Sequence, residues 1–159
     1  MTPDFPLLGG CNCGAVRYEI RRPALAAYIC HCHLCQKRTG SAFSLSAVFP
    51  DGCLAITAGT PKRTERILPN GFRNESWICE VCYSRILTRR EDWGSFNLRA
   101  GALDDTSWVR PAAQMWVSSA QPWAVVPGIL TYDEQPNDFG AVLAAAKARA
   151  GASGDEGRG

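Results

Sequence analysis

No stretch of this 159-residue chain approaches the ~20 consecutive apolar residues that a membrane-spanning helix requires. The opening segment, Met1-Thr2-Pro3-Asp4-Phe5-Pro6, has no basic run leading into an apolar one, so it does not read as an export signal. Charge of one sign is also scarce. Seventeen Lys and Arg stand against fifteen Asp and Glu, a net charge of +2, and the cations are scattered, which argues against nucleic acid as a partner. No internal repeat or long linker is present. With 46% hydrophobic residues the chain has enough apolar material for one core and too little length for two domains. The expectation is a single domain over residues 1–150, a disordered tail over 151–159, a soluble cytoplasmic location, no membrane and no nucleic-acid partner.

What the chain does have is cysteine, eight in all, seven of them grouped. Disulfide frameworks belong to small exported domains, so reduced thiols suit this chain better. Cys11-Asn12-Cys13-Gly14 and Cys79-Glu80-Val81-Cys82 are two distant pairs; Cys30-His31-Cys32-His33-Leu34-Cys35 is a compact trio. A Cys-x-Cys pair cannot readily bridge to itself, whereas Cys-x-x-Cys serves redox chemistry as well as metal, so the combination decides, and it favours zinc. Four thiolates close a tetrahedral shell and three leave one position open, which separates a structural from a catalytic zinc.

The rest of the chain reads as mostly β. Ala15–Ile20 alternates, with Val16, Tyr18 and Ile20 on one face, and Leu45, Ala47 and Phe49 repeat the pattern. Pro50-Asp51-Gly52 supplies turn chemistry before Cys53–Thr57, predicting a hairpin. Further strands are expected at Lys62–Ile67, Ser76–Cys79, Arg85–Arg89, Ser95–Arg99 and Gln114–Ser118. A short helix from about Leu34 to Thr39 should end at Gly40, and Asn137 or Asp138 should cap a C-terminal helix carrying Phe139, Val142, Leu143 and Ala146 on one stripe.

The two distant pairs each occupy a turn where sulfurs can converge, and Gly14 permits a tight turn behind the second ligand. Sixty-five residues separate Cys13 from Cys79, so a metal joining the pairs would restrict a long loop. The alternative is four buried core cysteines without metal. For the trio, three thiolates on Zn²⁺ leave a site suited to a soft sulfur ligand. His31 and His33 are both possible fourth ligands. Adjacency to two cysteines turns His31 toward a backbone or carboxylate partner, and His33 stays open between a supporting role and ligation. Cys53 reads as a small buried hydrophobe. Trp77, Trp93 and Phe96 read as core aromatics, and Arg89-Arg90-Glu91-Asp92 as a solvated hairpin end.

The segments Gly10–Tyr18, Cys30–Phe43 and Cys79–Cys82 together resemble the glutathione-dependent formaldehyde-activating enzyme family, which also contains centromere-protein-V-like zinc proteins. The resemblance covers about Leu8 to Trp123. It implies a mainly β, β-tent fold of small antiparallel sheets around a structural zinc held by Cys11, Cys13, Cys79 and Cys82. It also implies a catalytic zinc on Cys30, Cys32 and Cys35. Gly101-Ala102-Leu103-Asp104-Asp105, Trp116 and Pro122-Trp123 fit the same pattern. Two positions depart from it: Tyr83 stands where glycine usually follows the second pair, and Gln114 where many relatives have histidine.

The chemistry so implied is that of a carbon–sulfur lyase, forming or cleaving an S-hydroxyalkyl adduct of an aldehyde such as formaldehyde with glutathione or another small thiol. Ser41, ahead of Thr39, would donate to the developing alkoxide. Lys37 and Arg38 would pair with glutathione carboxylates. Two other classes are compatible with the same residues: a non-catalytic zinc module that binds a macromolecule, and a thiol-based metal or redox sensor.

Overall fold

The computed structural model describes residues 3–68, 71–90 and 92–152. Among them are eleven strands in two sheets and two α-helices, a mainly β fold with one short C-terminal helix. The chain divides into two compact units.

The first unit comprises Pro3–Ala24 and Val48–Trp108. Its small sheet has the order β1-β2-β5, with β1 at Leu7–Gly10, β2 at Arg17–Ile20 and β5 at Leu54–Ala58, all antiparallel. The alternation expected here is present, because Tyr18 and Ile20 are buried while Arg17 and Glu19 are not. The Tyr18 hydroxyl donates to the Ala102 carbonyl at 2.5 Å, so this buried phenol keeps a partner. The larger array runs from the end of β4 (Ser44–Pro50) in the order β4-β9-β8-β7-β6. Here β6 is Lys62–Ile67, β7 Arg73–Ile78, β8 Arg85–Arg90 and β9 Ser95–Arg99, with β6 to β9 pairing antiparallel in turn. Its core holds Phe49, Ile86, Leu87, Phe96 and Leu98, with Phe49 stacked on Phe96 at 5.8 Å.

The hairpin predicted at Pro50-Asp51-Gly52 does not form. The turn exists, with Gly52 at φ 76°, but β5 pairs with β2 whereas β4 neighbours β3 and β9. Local turn chemistry is overridden by Asp51, whose carboxylate accepts three hydrogen bonds from Arg89 at 2.9–3.2 Å and whose N–H donates to the Gly94 carbonyl at 3.0 Å. The turn is thereby anchored to the β8–β9 segment and the chain leaves in another direction.

The second unit comprises, among the described residues, 25–47 and 109–152. Its strand order is β11-β10-β3-β4, with β3 at Ala26–Cys30, β10 at Ala113–Met115 and β11 at Leu130–Tyr132. β10 runs parallel to both β3 and β11, an addition to the antiparallel pairing expected. Helix α1 spans His33–Thr39 and ends at Gly40, which adopts the left-handed conformation at φ 62° as its position predicts. Helix α2 spans Gly140–Ala152, so Gly151 and Ala152 are helical; the rest of the predicted tail lies outside the described residues. The Asp138 side chain accepts from the Gly140 N–H at 2.8 Å, the cap expected there. Val142 packs with Ala26 and Ala113, and Tyr28, Tyr132, Phe139 and Ala146 cover that cluster. Among the described residues no helix is long and apolar enough to cross a membrane.

Candidate metal centres

The four-cysteine group lies in the first unit and is built from two backbone turns of similar design. In one, the Cys11 N–H donates to the Val16 carbonyl at 3.0 Å and the Gly14 N–H returns to the Cys11 carbonyl at 3.1 Å. In the other, the Cys79 N–H donates to the Ser84 carbonyl at 3.0 Å and the Tyr83 N–H returns to the Cys79 carbonyl at 2.9 Å. Both returns need a residue with positive φ, supplied by Gly14 at 78° and by Tyr83 at 59°. The departure at Tyr83 is thus accommodated without changing the turn: a non-glycine residue adopts the glycine conformation.

The sulfurs of Cys11, Cys13, Cys79 and Cys82 all lie within 4.8 Å of one another. Cys13 and Cys79 are 3.8 Å apart and Cys11 and Cys13 3.5 Å apart. A tetrahedral zinc with Zn–S bonds of about 2.3 Å sets its sulfurs about 3.8 Å apart, so the donor set fits that ion. Charge points the same way. The Ser84 hydroxyl and backbone hold the Cys82 thiol down to about 5. Although the Ala15 N–H favours its thiolate, Cys13 is pushed up to about 12 by desolvation and by the sulfurs of Cys11, Cys82 and Cys79. Four sulfurs this close cannot all ionise without a cation between them, and a divalent ion removes that conflict. The Val16 N–H donates to Cys11 Sγ at 3.2 Å, and Ser84 Oγ lies 3.2 Å from Cys82 Sγ while accepting from the Asn12 N–H at 3.3 Å, which ties one turn to the other.

The three-cysteine group lies in the second unit. The sulfurs of Cys30, Cys32 and Cys35 also fall within 4.8 Å of one another, and among the described residues no fourth side chain joins them. Cys30 ends β3, Cys32 caps α1, and Cys35 sits in its first turn, its N–H donating to Cys32 Sγ at 3.4 Å. Cys30 is crowded by its neighbours' sulfurs, Cys32 first and then Cys35, and its thiol is raised strongly. The Cys30 sulfur favours the Cys32 thiolate, yet Cys35 and burial raise Cys32 on balance. This trio also fits a metal that neutralises it.

Neither histidine belongs to the trio. His33 begins α1 and is exposed, whereas His31 is fully buried, packed edge-on against Phe43 at 5.6 Å. His31 turns to Gln114 rather than to backbone or carboxylate, Nε2 lying 3.3 Å from Gln114 Oε1. The amide of Gln114 has a fixed orientation: Nε2 donates to the Val126 carbonyl at 2.6 Å and to Thr131 Oγ1 at 3.0 Å, and Oε1 accepts from the Val126 N–H at 3.0 Å. Its oxygen therefore faces His31, so His31 carries its proton on Nε2. Nδ1 is buried with no hydrogen-bond partner among the described residues.

Two residues that sequence reasoning missed hold the trio's loop. Gln36 Nε2 donates to the His31 carbonyl at 2.6 Å and to the Ser119 carbonyl at 2.8 Å, and Ser119 Oγ lies 3.2 Å from the His31 carbonyl. Gln36 sits next to Cys35 and was visible in the motif, but nothing local marks Ser119, which arrives from 88 residues away. Thr39 Oγ1 lies 2.9 Å from the Cys35 carbonyl and 3.1 Å from the Phe43 carbonyl, and it accepts from the Ser41 N–H at 3.2 Å. The Thr39 hydroxyl thus closes the end of α1, next to an exposed Ser41. Lys37 and Arg38 are exposed in the last turn of α1, where the helix dipole favours cations.

A crystal structure of a Rhodobacter sphaeroides protein is similar to this chain at a TM-score of 0.50, covering 79% of this chain and 99% of that one at 19% identity, a likeness of fold alone. The sequence model described as glutathione-dependent formaldehyde-activating enzyme matches residues 6–119, which include all seven grouped cysteines. With that match added to two cysteine groups of metal-binding geometry, the chain belongs to the glutathione-dependent formaldehyde-activating enzyme family.

Proposed function

We propose that the protein is a zinc-dependent carbon–sulfur lyase-type enzyme acting on the adduct of an aldehyde, formaldehyde above all, with glutathione or a similar small thiol. The observation that carries this reading is the three-sulfur group, which has donors enough to hold an ion and no fourth protein ligand among the described residues. Cys30, Cys32 and Cys35 would hold the catalytic Zn²⁺, which when bound favours a thiolate over a thiol and acts as a Lewis acid. Cys11, Cys13, Cys79 and Cys82 would hold a structural Zn²⁺.

The reaction needs no redox partner. One S–C bond forms, the carbonyl π bond becomes an O–H bond, and the thiol proton passes to the new hydroxyl; cleavage reverses each change. The chain's own contribution is orientation and proton supply. Exposed Ser41 is the donor best placed by sequence for the developing alkoxide. Thr39 serves by holding the Cys35 carbonyl and the Ser41 N–H, which keeps the turn beside Cys35 in one shape. Lys37 and Arg38 provide charge for the carboxylates of glutathione. Family membership supports glutathione and formaldehyde as the substrates to try first.

The test is to mix the zinc-loaded protein with glutathione and formaldehyde and follow the exchange rate of the S-hydroxymethyl adduct by NMR against the spontaneous background. Acceleration that disappears in Cys35→Ser supports the reading. A rate equal to background with both metal sites loaded would sink it and favour a binding module.

A further inference from the structure

Helix α1 carries Cys35, yet none of its seven residues is buried. A helix that short is unstable alone and has no buried apolar face to fix its place, so the position of Cys35 against Cys30 and Cys32 rests on directed contacts. Those contacts converge on the carbonyl of His31, the residue between the first two cysteines of the trio. Gln36, one position after Cys35, donates from Nε2 to that carbonyl at 2.6 Å and to the Ser119 carbonyl at 2.8 Å. An amide nitrogen has two hydrogens to donate, and both are in use. Ser119 Oγ lies 3.2 Å from the same His31 carbonyl and 3.1 Å from the Trp116 carbonyl, which also accepts from the Ser119 N–H at 3.2 Å. The His31 N–H in turn donates to the Met115 carbonyl at 3.0 Å. Ser119 reaches this point because Trp116 takes the left-handed conformation, at φ 61° and ψ 40°, and turns the chain out of β10 into the 3₁₀ turn Val117–Ser119. A residue with a Cβ is strained there, and such strain persists where the surrounding contacts impose it.

We propose that Gln36 and Ser119 are positioning residues of the three-sulfur centre: their shared hold on the His31 carbonyl fixes Cys35 against Cys30 and Cys32, and so sets the geometry of a metal bound there and its affinity for a thiol. Neither side chain touches the metal or the substrate. The requirement at position 36 is specific, since the side chain must present two donors to two carbonyls from different segments. Glutamate has the same shape but offers acceptors, and methionine has the same length with no donor. The role requires a metal on the trio, as the lyase reading does, and is independent of which reaction that metal serves.

The experiment loads the full chain with ¹¹³Cd²⁺, a thiophilic stand-in for zinc, and records its ¹¹³Cd NMR spectrum, in which each sulfur group gives its own signal. Cys35→Ser assigns the signal of the trio. Gln36→Met should displace that signal, leave the four-sulfur signal in place, and weaken metal binding at the trio about tenfold, the lower end of what outer partners of metal ligands contribute. Gln36→Glu should weaken it further and Ser119→Ala less. The double variant Gln36→Met with Ser119→Ala should lose less than the product of the two single losses, because both residues hold one carbonyl. Glutathione titrated into each sample should move the trio's signal at a higher concentration in the variants than in the parent protein. A trio signal unchanged in Gln36→Met would overturn the proposal, and so would both signals moving together, which would make Gln36 a support of the whole protein. Failure of the lyase reading alone leaves these shifts as they are. A parent protein showing only the four-sulfur signal would overturn both.

Discussion

The two cysteine groups solve the same problem, holding sulfurs within metal distance, with opposite kinds of support. The four-sulfur group is assembled from two turns, each closed by its own backbone hydrogen bonds and each needing one residue at positive φ. Its sulfurs come from far apart in the sequence, so an ion there would close a long loop and its binding energy would be folding energy. The three-sulfur group is local, six residues from Cys30 to Cys35 on a strand end and one short helix, and its support comes from side chains: Gln36, Ser119, Gln114 and the buried His31. If backbone turns make a centre that the fold depends on and side-chain struts one that the fold can lose, substitutions in the two groups should differ in kind.

That contrast is broken most directly at its first half. Cys79 is 1% exposed and anchors the second turn, so Cys79→Ser should remove the ion from the four-sulfur group and cost several kcal/mol of folding free energy. Loss of the cooperative near-ultraviolet signal, or insoluble protein, is the expected outcome; a folded variant with full metal content would abolish the distinction. Cys35→Ser is the matching change in the other group. It should leave secondary structure and the first metal in place while lowering thiol binding by about a hundredfold or more, since even an outer partner of a ligand is worth about ten- to a hundredfold. Metal analysis and a glutathione titration read the two effects separately.

Gln114 tests whether the side-chain struts matter. Replacing it with Leu strands the Val126 N–H and carbonyl and His31 Nε2, which Gln114 satisfies, while the exposed Thr131 hydroxyl keeps the Ile129 carbonyl as partner. Buried groups left without partners cost about 1–3 kcal/mol each at most, and relaxation or water recovers part of that, so a net loss of about 2 kcal/mol is expected in denaturant unfolding. The loosened loop should also release metal from the three-sulfur group faster to a competing chelator, with the four-sulfur group unchanged. Equal release from both would mean that Gln114 supports the whole protein and not this loop.

How far these features were written in the sequence depends on their range. Strands such as Lys62–Ile67 and Ser95–Arg99 were legible to the residue, and so was the end of α1, because glycine at position 40 acts locally; the cap of α2 was narrowed to Asn137 or Asp138, and that helix continues through Gly151 and Ala152, which read as tail. β3 was missed because four of its five residues are buried and no alternation remains to be seen. β11, three mostly exposed residues in parallel pairing, has no local signature at all. The cysteine groups could be read from spacing, but the bonds from Ser119 and Gln114 reach the trio's loop across more than 80 residues and are a product of the fold.

The smallest effect bears on the symmetry of the two backbone turns. Gly14 and Tyr83 occupy equivalent places, at φ 78° and 59°, and only one of them is glycine. An L residue with a Cβ loses about 1–2 kcal/mol in the left-handed region. Tyr83 is 77% exposed, so its ring offers little burial in return. Tyr83→Gly therefore relieves the strain, although the greater freedom of glycine in the unfolded chain takes back about 0.5–1 kcal/mol. The net expectation is a gain of up to about 1 kcal/mol, seen as a rise of a few degrees in the melting temperature of the zinc-loaded protein. Gly14→Ala should shift it the other way, since alanine meets the same strain with no contact to gain: a Cβ there touches nothing within 4 Å. If Tyr83→Gly instead destabilises the protein, the ring does more than fill the place of a glycine, and the two turns differ in what they hold as well as in sequence.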